Sequence, residues 1–236
     1  MAAVAQFARC ADAARAAQTL HSSGLHTEGE LSSNGSAPML YNPAQPLFGP
    51  HLMALKATIH KATLHIADMD RSLYADHSVT LARHPSETDE RMMLRLLAFA
   101  MNVPSDDDDG ALEFAKGLSD TDEPDLWQKN LRGEIVAWIE VGQPDERRLL
   151  KACGRADRVA VYCYSASSPI WWSGVAAKLA RARGLEVWRV EAGQSQALAA
   201  LAARNMQLQV TVQDATVWIG NGTYSVEIAP KRLLPK

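Results

Sequence analysis

The chain has 236 residues, of which 47% are hydrophobic and 22% charged. That mix builds a core of ordinary size and excludes wholesale disorder, a collagen-like repeat and a disulfide scaffold. Lys and Arg total 24 against 27 Asp and Glu, a formal net charge of −3, so a strongly polybasic nucleic-acid binder is excluded and any polyanion must be met by a local patch.

Cys10, Cys153 and Cys163 form no CxxC and no Cys/His spacing suited to zinc, which points to a reducing compartment. No apolar run reaches the ~18–20 residues of a bilayer span, so no membrane partner is expected. The Ala-rich N-terminus lacks a basic n-region, and Arg9 and Arg15 interrupt it, unlike a signal peptide. The expected address is cytoplasmic.

Residues 1–52 differ from the rest. Nine of the first seventeen residues are alanine, which suits a short helix over 2–20. Small and polar residues follow, then Pro38, Pro43, Pro46 and Pro50. Residues 21–52 therefore read as a disordered stretch or linker. The first 52 residues are expected to be dispensable, and a chain starting at Met53 should fold with unchanged stability.

From Met53 the pattern becomes that of a folded domain, 53–236. Residues 55–66 alternate apolar and polar, as a strand does, and His77–Arg83 alternates again, which predicts a hairpin around Asp68-Met69-Asp70. Ser86 with Asp89 predicts a helix start, and the helix runs to about Met101. It is apolar over much of its surface, so other elements should cover it. Asp106–Asp109 reads as a solvated acidic loop. Residues 112–117, 122–127 and 134–142 read as strands. A helix over 144–157 follows, with Pro144 at its first position and Asp145 and Glu146 at its positive end. Then come a central strand (159–164), a helix (170–183) stopped by Gly184, a strand (185–190) and an Ala/Leu helix (195–205). Strand-like runs at 207–213, 216–219 and 223–229 close the chain, with turns at Asp214-Ala215 and Asn221-Gly222. The sum is α/β, a mixed β-sheet flanked by helices with extra antiparallel strands at both ends, and no internal repeat.

Asp125 follows Pro124 at a strand edge, and Glu140 lies fifteen residues on, within the apolar run Trp138–Gly142. Hairpin-linked strands can bring the two carboxylates side by side. Paired carboxylates suit Mg²⁺, which takes oxygen donors and can activate water and neutralise phosphodiester charge. Asp125 also suits a plain turn after proline. Glu140 between Ile139 and Val141 needs a partner, whether a cation or an arginine. Glu87 and Glu90 could supply a third carboxylate, although the helix dipole alone favours acids there. Arg147, Lys151, Arg155 and Arg158 recur at helical spacing and predict one basic face able to follow a phosphate backbone. His60, His65, His77 and His84 show no metal-binding spacing. Trp171-Trp172 reads as packing, with base stacking as the alternative.

The runs MALKATIHKATLHIADMD, ARHPSETDERMMLRLLAFA, DEPDLW, WIEVGQPDERRLLKACGRA and TVQDATVWI resemble the bacterial YaeQ family, over residues 53–236. The resemblance implies a restriction-endonuclease-like core, a variation of the PD-(D/E)XK nuclease fold, of αβββαβ order. Asp125 and Glu140 would stand at the positions of the acidic pair and bind Mg, with Glu90 in support. The implied activity is metal-dependent cleavage of nucleic acid. Gly142 stands where that motif has its lysine, the group that orients or deprotonates the attacking water. Lys129, Lys151 or Gln143 would have to replace it. The alternative is a non-catalytic module that binds nucleic acid or a protein partner on the same scaffold.

Overall fold

The computed structural model describes residues 57–234 except 107, 117, 119 and 121. The expected helix over 2–20, the stretch 21–52 and Cys10 lie outside the described residues. Two strands open the fold, β1 (Thr58–Asp68) and β2 (Leu73–Arg83), paired antiparallel from Thr58–Arg83 to Asp68–Leu73. This is the hairpin that the alternation predicts. Buried Ala62, Leu64 and Ile66 alternate with Lys61, Thr63 and His65 toward the outside.

Helix α1 (Asp89–Asn102) follows, and its cap is Thr88, not Ser86. The Thr88 hydroxyl accepts from the Arg91 backbone N–H at 3.2 Å. Glu87 therefore precedes the helix. Met92 through Ala100 are all buried, so the covering expected from the apolar surface is present.

Next come β3 (Leu112–Phe114), β4 (Leu126–Lys129), β5 (Ile135–Val141), α2 (Glu146–Cys153) and β6 (Ala156–Cys163). The run from α1 to β6 has the order αβββαβ. The remaining elements are α3 (Ser168–Leu179), β7 (Leu185–Arg189), α4 (Ala192–Ala199), β8 (Asn205–Gln213), β9 (Thr216–Gly220), β10 (Ser225–Ile228) and β11 (Lys231–Arg232). Asp214 and Ala215 both take positive φ in the tight turn between β8 and β9.

The expectation of one sheet is corrected to two. One has the order β10-β9-β8-β1-β2 and the other β11-β7-β6-β5-β4-β3. The strands from the two ends of the domain pair with each other, because β1 runs parallel to β8. Both sheets are mixed: in the second, β5, β6 and β7 are parallel and β3, β4 and β5 antiparallel. Helices α1 and α4 share one core with the inner faces of both sheets. Helices α2 and α3 cover the outer face of the second sheet, where Leu149 and Leu179 meet Trp138, Val159, Val161 and Val187. Parallel β5-α2-β6 and β6-α3-β7 units place both helices on one face, and leave a crevice at the carboxyl ends of the strands.

Helix α2 stops at Cys153, before Gly154, and does not reach Asp157. The basic face expected over 147–158 is therefore not formed as one stripe. Only Arg147 and Lys151 lie on the helix. Arg155 is in the following turn, with its guanidinium 5.2 Å above the Trp138 ring. Arg158 is in β6, where Val159 and Val161 face α2 and Arg158 points the other way. It donates to Asn102 Oδ1 of α1 at 2.7 Å.

Candidate functional site

The β4–β5 ladder pairs Leu126 with Ile139, and the Asp125 N–H donates to the Ile139 carbonyl at 3.0 Å. Asp125 therefore stands at the head of β4, beside Glu140 on β5. Both border a cleft of about 320 Å³ at the carboxyl end of β5, lined also by Arg91, Gln143 and Arg148. The two residues are neighbours at one sheet end, as the spacing suggests, but Asp125 is bonded on the α1 side of the sheet and Glu140 on the α2 side.

Their partners are cations of the chain itself. The Asp125 side chain is fully enclosed, and Arg91 Nη2 donates to both its oxygens at 2.8 and 2.9 Å. Oδ2 also accepts from the Val141 backbone N–H at 2.7 Å, and Arg95 Nε lies 3.5 Å from Oδ1. Arg91 and Arg95 are shared with Glu87, at 2.9 and 3.3 Å. Burial works against the charge on Arg91, yet Asp125 and Glu87 together hold its pKa above the usual guanidinium value. On the other side, Glu140 Oε1 accepts from Trp138 Nε1 at 2.7 Å and from Arg148 Nε at 2.8 Å. Burial pushes the Glu140 carboxyl above its ordinary value. The Arg148 bond and charge and the Trp138 N–H pull it down, and the Asp125 charge adds to the upward push.

Arg148 also ties the cleft together. Its Nη2 donates to the Glu123 carbonyl in the β3–β4 segment at 2.7 Å. Its backbone N–H donates to Asp145, the residue that caps α2, at 2.8 Å.

Glu90 is not brought to the pair. It sits on α1 and accepts the hydroxyl of buried Ser195 on α4. Neither lysine proposed as a substitute reaches the cleft. Lys129 closes β4 at its far end, about 13 Å along the strand from Asp125, with its ammonium 3.2 Å over the Trp127 ring. Lys151 is bonded to Asp122 at 2.7 Å. Gln143 borders the cleft, but its carboxamide nitrogen is turned toward Ser165 and Ser167 in the β6–α3 loop and Ser168 at the start of α3, at 2.9–3.2 Å. Gly142 has φ +119°, a backbone conformation that side-chain-bearing residues rarely adopt, and its N–H donates to the Tyr162 carbonyl.

These donors do not suit Mg²⁺. A hard cation wants several free oxygens in near-octahedral array, and both Asp125 oxygens are already taken by N–H donors. Among the described residues no three His, Cys, Asp or Glu side chains are grouped to hold a metal. The arginine that Glu140 calls for is Arg148, but Arg91 and Arg95 were passed over as partners of Asp125. Their signal was present: Glu87, Arg91 and Arg95 recur every four residues, on a segment otherwise too apolar to face water.

No helix among the described residues is long and apolar enough to cross a membrane. Comparison with known proteins matches residues 53–230 to the family model described as YaeQ protein. An uncharacterized YaeQ protein of Salmonella typhi is 47% identical over 177 residues, 75% of this chain and 95% of that protein. Its counterpart in Escherichia coli K12 is 46% identical over the same length. The crystal structure of the YaeQ protein from Xanthomonas axonopodis pv. citri superposes with a TM-score of 0.71 at 44% identity, covering 76% of this chain and 99% of that one. That from Pseudomonas syringae gives 0.69 at 33% identity, covering 76% and 97%. The chain belongs to the YaeQ family.

Proposed function

We propose that this chain uses a nuclease-like, PD-(D/E)XK-type scaffold to bind nucleic acid without cutting it. The observation that carries this reading is at the motif lysine. Gly142 stands there with φ +119°, so the backbone itself is shaped for glycine, and Lys129 and Lys151 are both engaged elsewhere. Neither of these lysines stands where it could orient or deprotonate the attacking water. The αβββαβ order and the paired Asp125 and Glu140 support the scaffold assignment. Exposed Arg147, in the first turn of α2, and exposed Arg155 support the polyanion partner, with Lys151 between them in sequence. Arg158 has no part in this, because it faces α1.

The test is fluorescence anisotropy with labelled DNA and RNA oligonucleotides, run beside a cleavage assay in MgCl₂ and MnCl₂. Expected are retention without product and an affinity that falls with salt, with a slope of about −2 to −3 on a log–log plot for two or three phosphate contacts. Arg147→Ala with Arg155→Ala should flatten that slope by about 2. Cleavage that disappears in Glu140→Ala would sink the proposal.

A protein partner is the second reading, favoured by α3. Only Ser168 and Leu179 of its twelve residues are buried, although the helix is apolar nearly all round. Ile170 on it is 76% exposed. Gel filtration at rising concentration, with Ile170→Asp as the control, tests whether that face joins copies of the chain.

A further inference from the structure

We infer that Arg91 and Arg148 are the resident cations of this cleft, one on each carboxylate of the acidic pair, and that the cleft takes up no divalent metal. The inference concerns the same site as the proposed function but fails or stands separately from it.

The donor count comes first. A carboxylate offers about four lone-pair directions. On Asp125, Arg91 uses one on each oxygen, the Val141 N–H uses a second on Oδ2, and Arg95 Nε faces Oδ1. The whole side chain is enclosed, so a metal and its waters could reach it only by expelling a guanidinium. Arg91 cannot simply step aside. It is 14% exposed, and its other arm holds Glu87, whose side chain is 1% exposed. Displacing it would leave buried Glu87 with only Arg95 and the His84 N–H, both at 3.3 Å.

Charge makes the same case. Glu87, Asp125 and Glu140 carry three negative charges against the three positive ones of Arg91, Arg95 and Arg148, and Asp120, which also lines the cleft, is matched by Lys116 at 3.6 Å. A guanidinium cannot release its proton to make room. A divalent ion added to the balanced cluster would leave it with two uncompensated positive charges in a largely dry place.

Arg148 completes the arrangement from the opposite side of the sheet. Its Nε takes Glu140 Oε1, and its Nη2 takes the Glu123 carbonyl of the segment that leads into Asp125. The two arginines are thus positioning residues. Arg91 fixes the head of β4 to α1, and Arg148 fixes the same segment to α2. The work that a bridging metal would do in aligning the two strands is done by side chains from the two flanking helices.

The experiment uses the full chain. MgCl₂ and MnCl₂ are titrated by calorimetry, and Mn²⁺ binding is followed by paramagnetic resonance, in the wild type, Asp125→Asn and Glu140→Gln. The inference expects the bound Mn²⁺ fraction to be the same in all three, as weak surface acids alone would give. A saturable site lost in both variants overturns it. A measurement on the unaltered chain guards against variants that fold poorly: the Nε–H resonances of Arg91 and Arg148 should not move as MgCl₂ is added. Their displacement by the metal overturns the inference. Saturable metal binding without cleavage would refute this inference and leave the binding function standing. Metal-independent cleavage would do the reverse.

Discussion

Arg91 donates to both carboxylate oxygens of Asp125, at 2.8 and 2.9 Å, and so pins the head of β4 to α1 across 34 residues of chain. Both groups are enclosed, so removing Asp125 leaves Arg91 with Glu87 alone, and takes the acceptor from the Val141 N–H and the facing carboxylate from Arg95. Asp125→Ala is expected to cost about 3–5 kcal/mol, the range for breaking a buried ion pair. Urea denaturation measures it. Replacing both members, Arg91→Met with Asp125→Leu, should recover part of that loss, because the desolvation of two charges is removed with the pair. The recovery is limited by Glu87, which keeps only Arg95 and its backbone contact. A loss below about 1 kcal/mol for Asp125→Ala would show that the pair is structurally idle.

Gly142 gives a sharper case, because conformation and space can be separated. A Cβ built there meets nothing within 4 Å, yet φ is +119°. The cost of any side chain is therefore conformational. Gly142→Ala and Gly142→Lys are expected to lose the same stability, on the order of 1–3 kcal/mol. Neither should create cleavage activity. Parallel urea melts check the equality. A lysine variant as stable as the wild type and active on DNA would contradict both the argument and the proposed function.

These two residues also show what a reader of the sequence can and cannot see. The hairpin of β1 and β2 and the buried α1 were legible, since their signals are local: alternation in one, a surface apolar over most of its extent in the other. The juxtaposition of Asp125 and Glu140 was legible for the same reason, being set by neighbouring strands. The parallel pairing of β1 with β8 was not, because it joins opposite ends of the domain and leaves no local trace. The basic stripe failed at Gly154. Spacing was counted through a helix end, and beyond it the strand period sent Arg158 to the other face. Strand β11, of two residues, is too short for any periodicity. An arginine on Glu140 was among the readings and Arg148 fills that place, whereas Arg91 and Arg95 were missed as partners of Asp125 because a contact between α1 and β4 is a tertiary fact, although buried charges at four-residue spacing demanded some such partner.

Glu140 gives a pH dependence with a definite sign. Burial raises its carboxyl pKa in the folded chain above the ordinary 4.5. The folded state therefore holds this proton more tightly than the unfolded state does. The resulting contribution is fully present below the unfolded value and is lost as pH rises through the folded one. Relative to Glu140→Gln, which cannot titrate, the wild type is expected to lose stability as pH rises upward from about 4.5. Urea midpoints for the two proteins, measured side by side between acid and neutral pH, give the difference directly. A difference that grows in favour of the wild type over that interval would mean that Arg148 outweighs the desolvation.

Tyr162 extends the reasoning to the alkaline side and to the core. Its hydroxyl accepts from Asn102 Nδ2 at 2.7 Å, and Asn102 Oδ1 in turn accepts from Arg158 at 2.7 Å. Burial pushes the phenol up to about 12, against the smaller lowering by Asn102 and Arg158. Tyr162→Phe removes the acceptor and leaves a buried amide donor with only the Ala98 carbonyl, also at 2.7 Å. A loss of about 1–2 kcal/mol is expected at neutral pH, the cost of one buried hydrogen bond. The sign at high pH is the same as for Glu140. The tyrosine's contribution is intact below its unfolded value of 10.0 and is lost as pH rises toward about 12. The stability gap between wild type and Tyr162→Phe should therefore narrow above pH 10. Urea unfolding at neutral and alkaline pH reads both effects, and a gap that stays constant would place the phenol in contact with water.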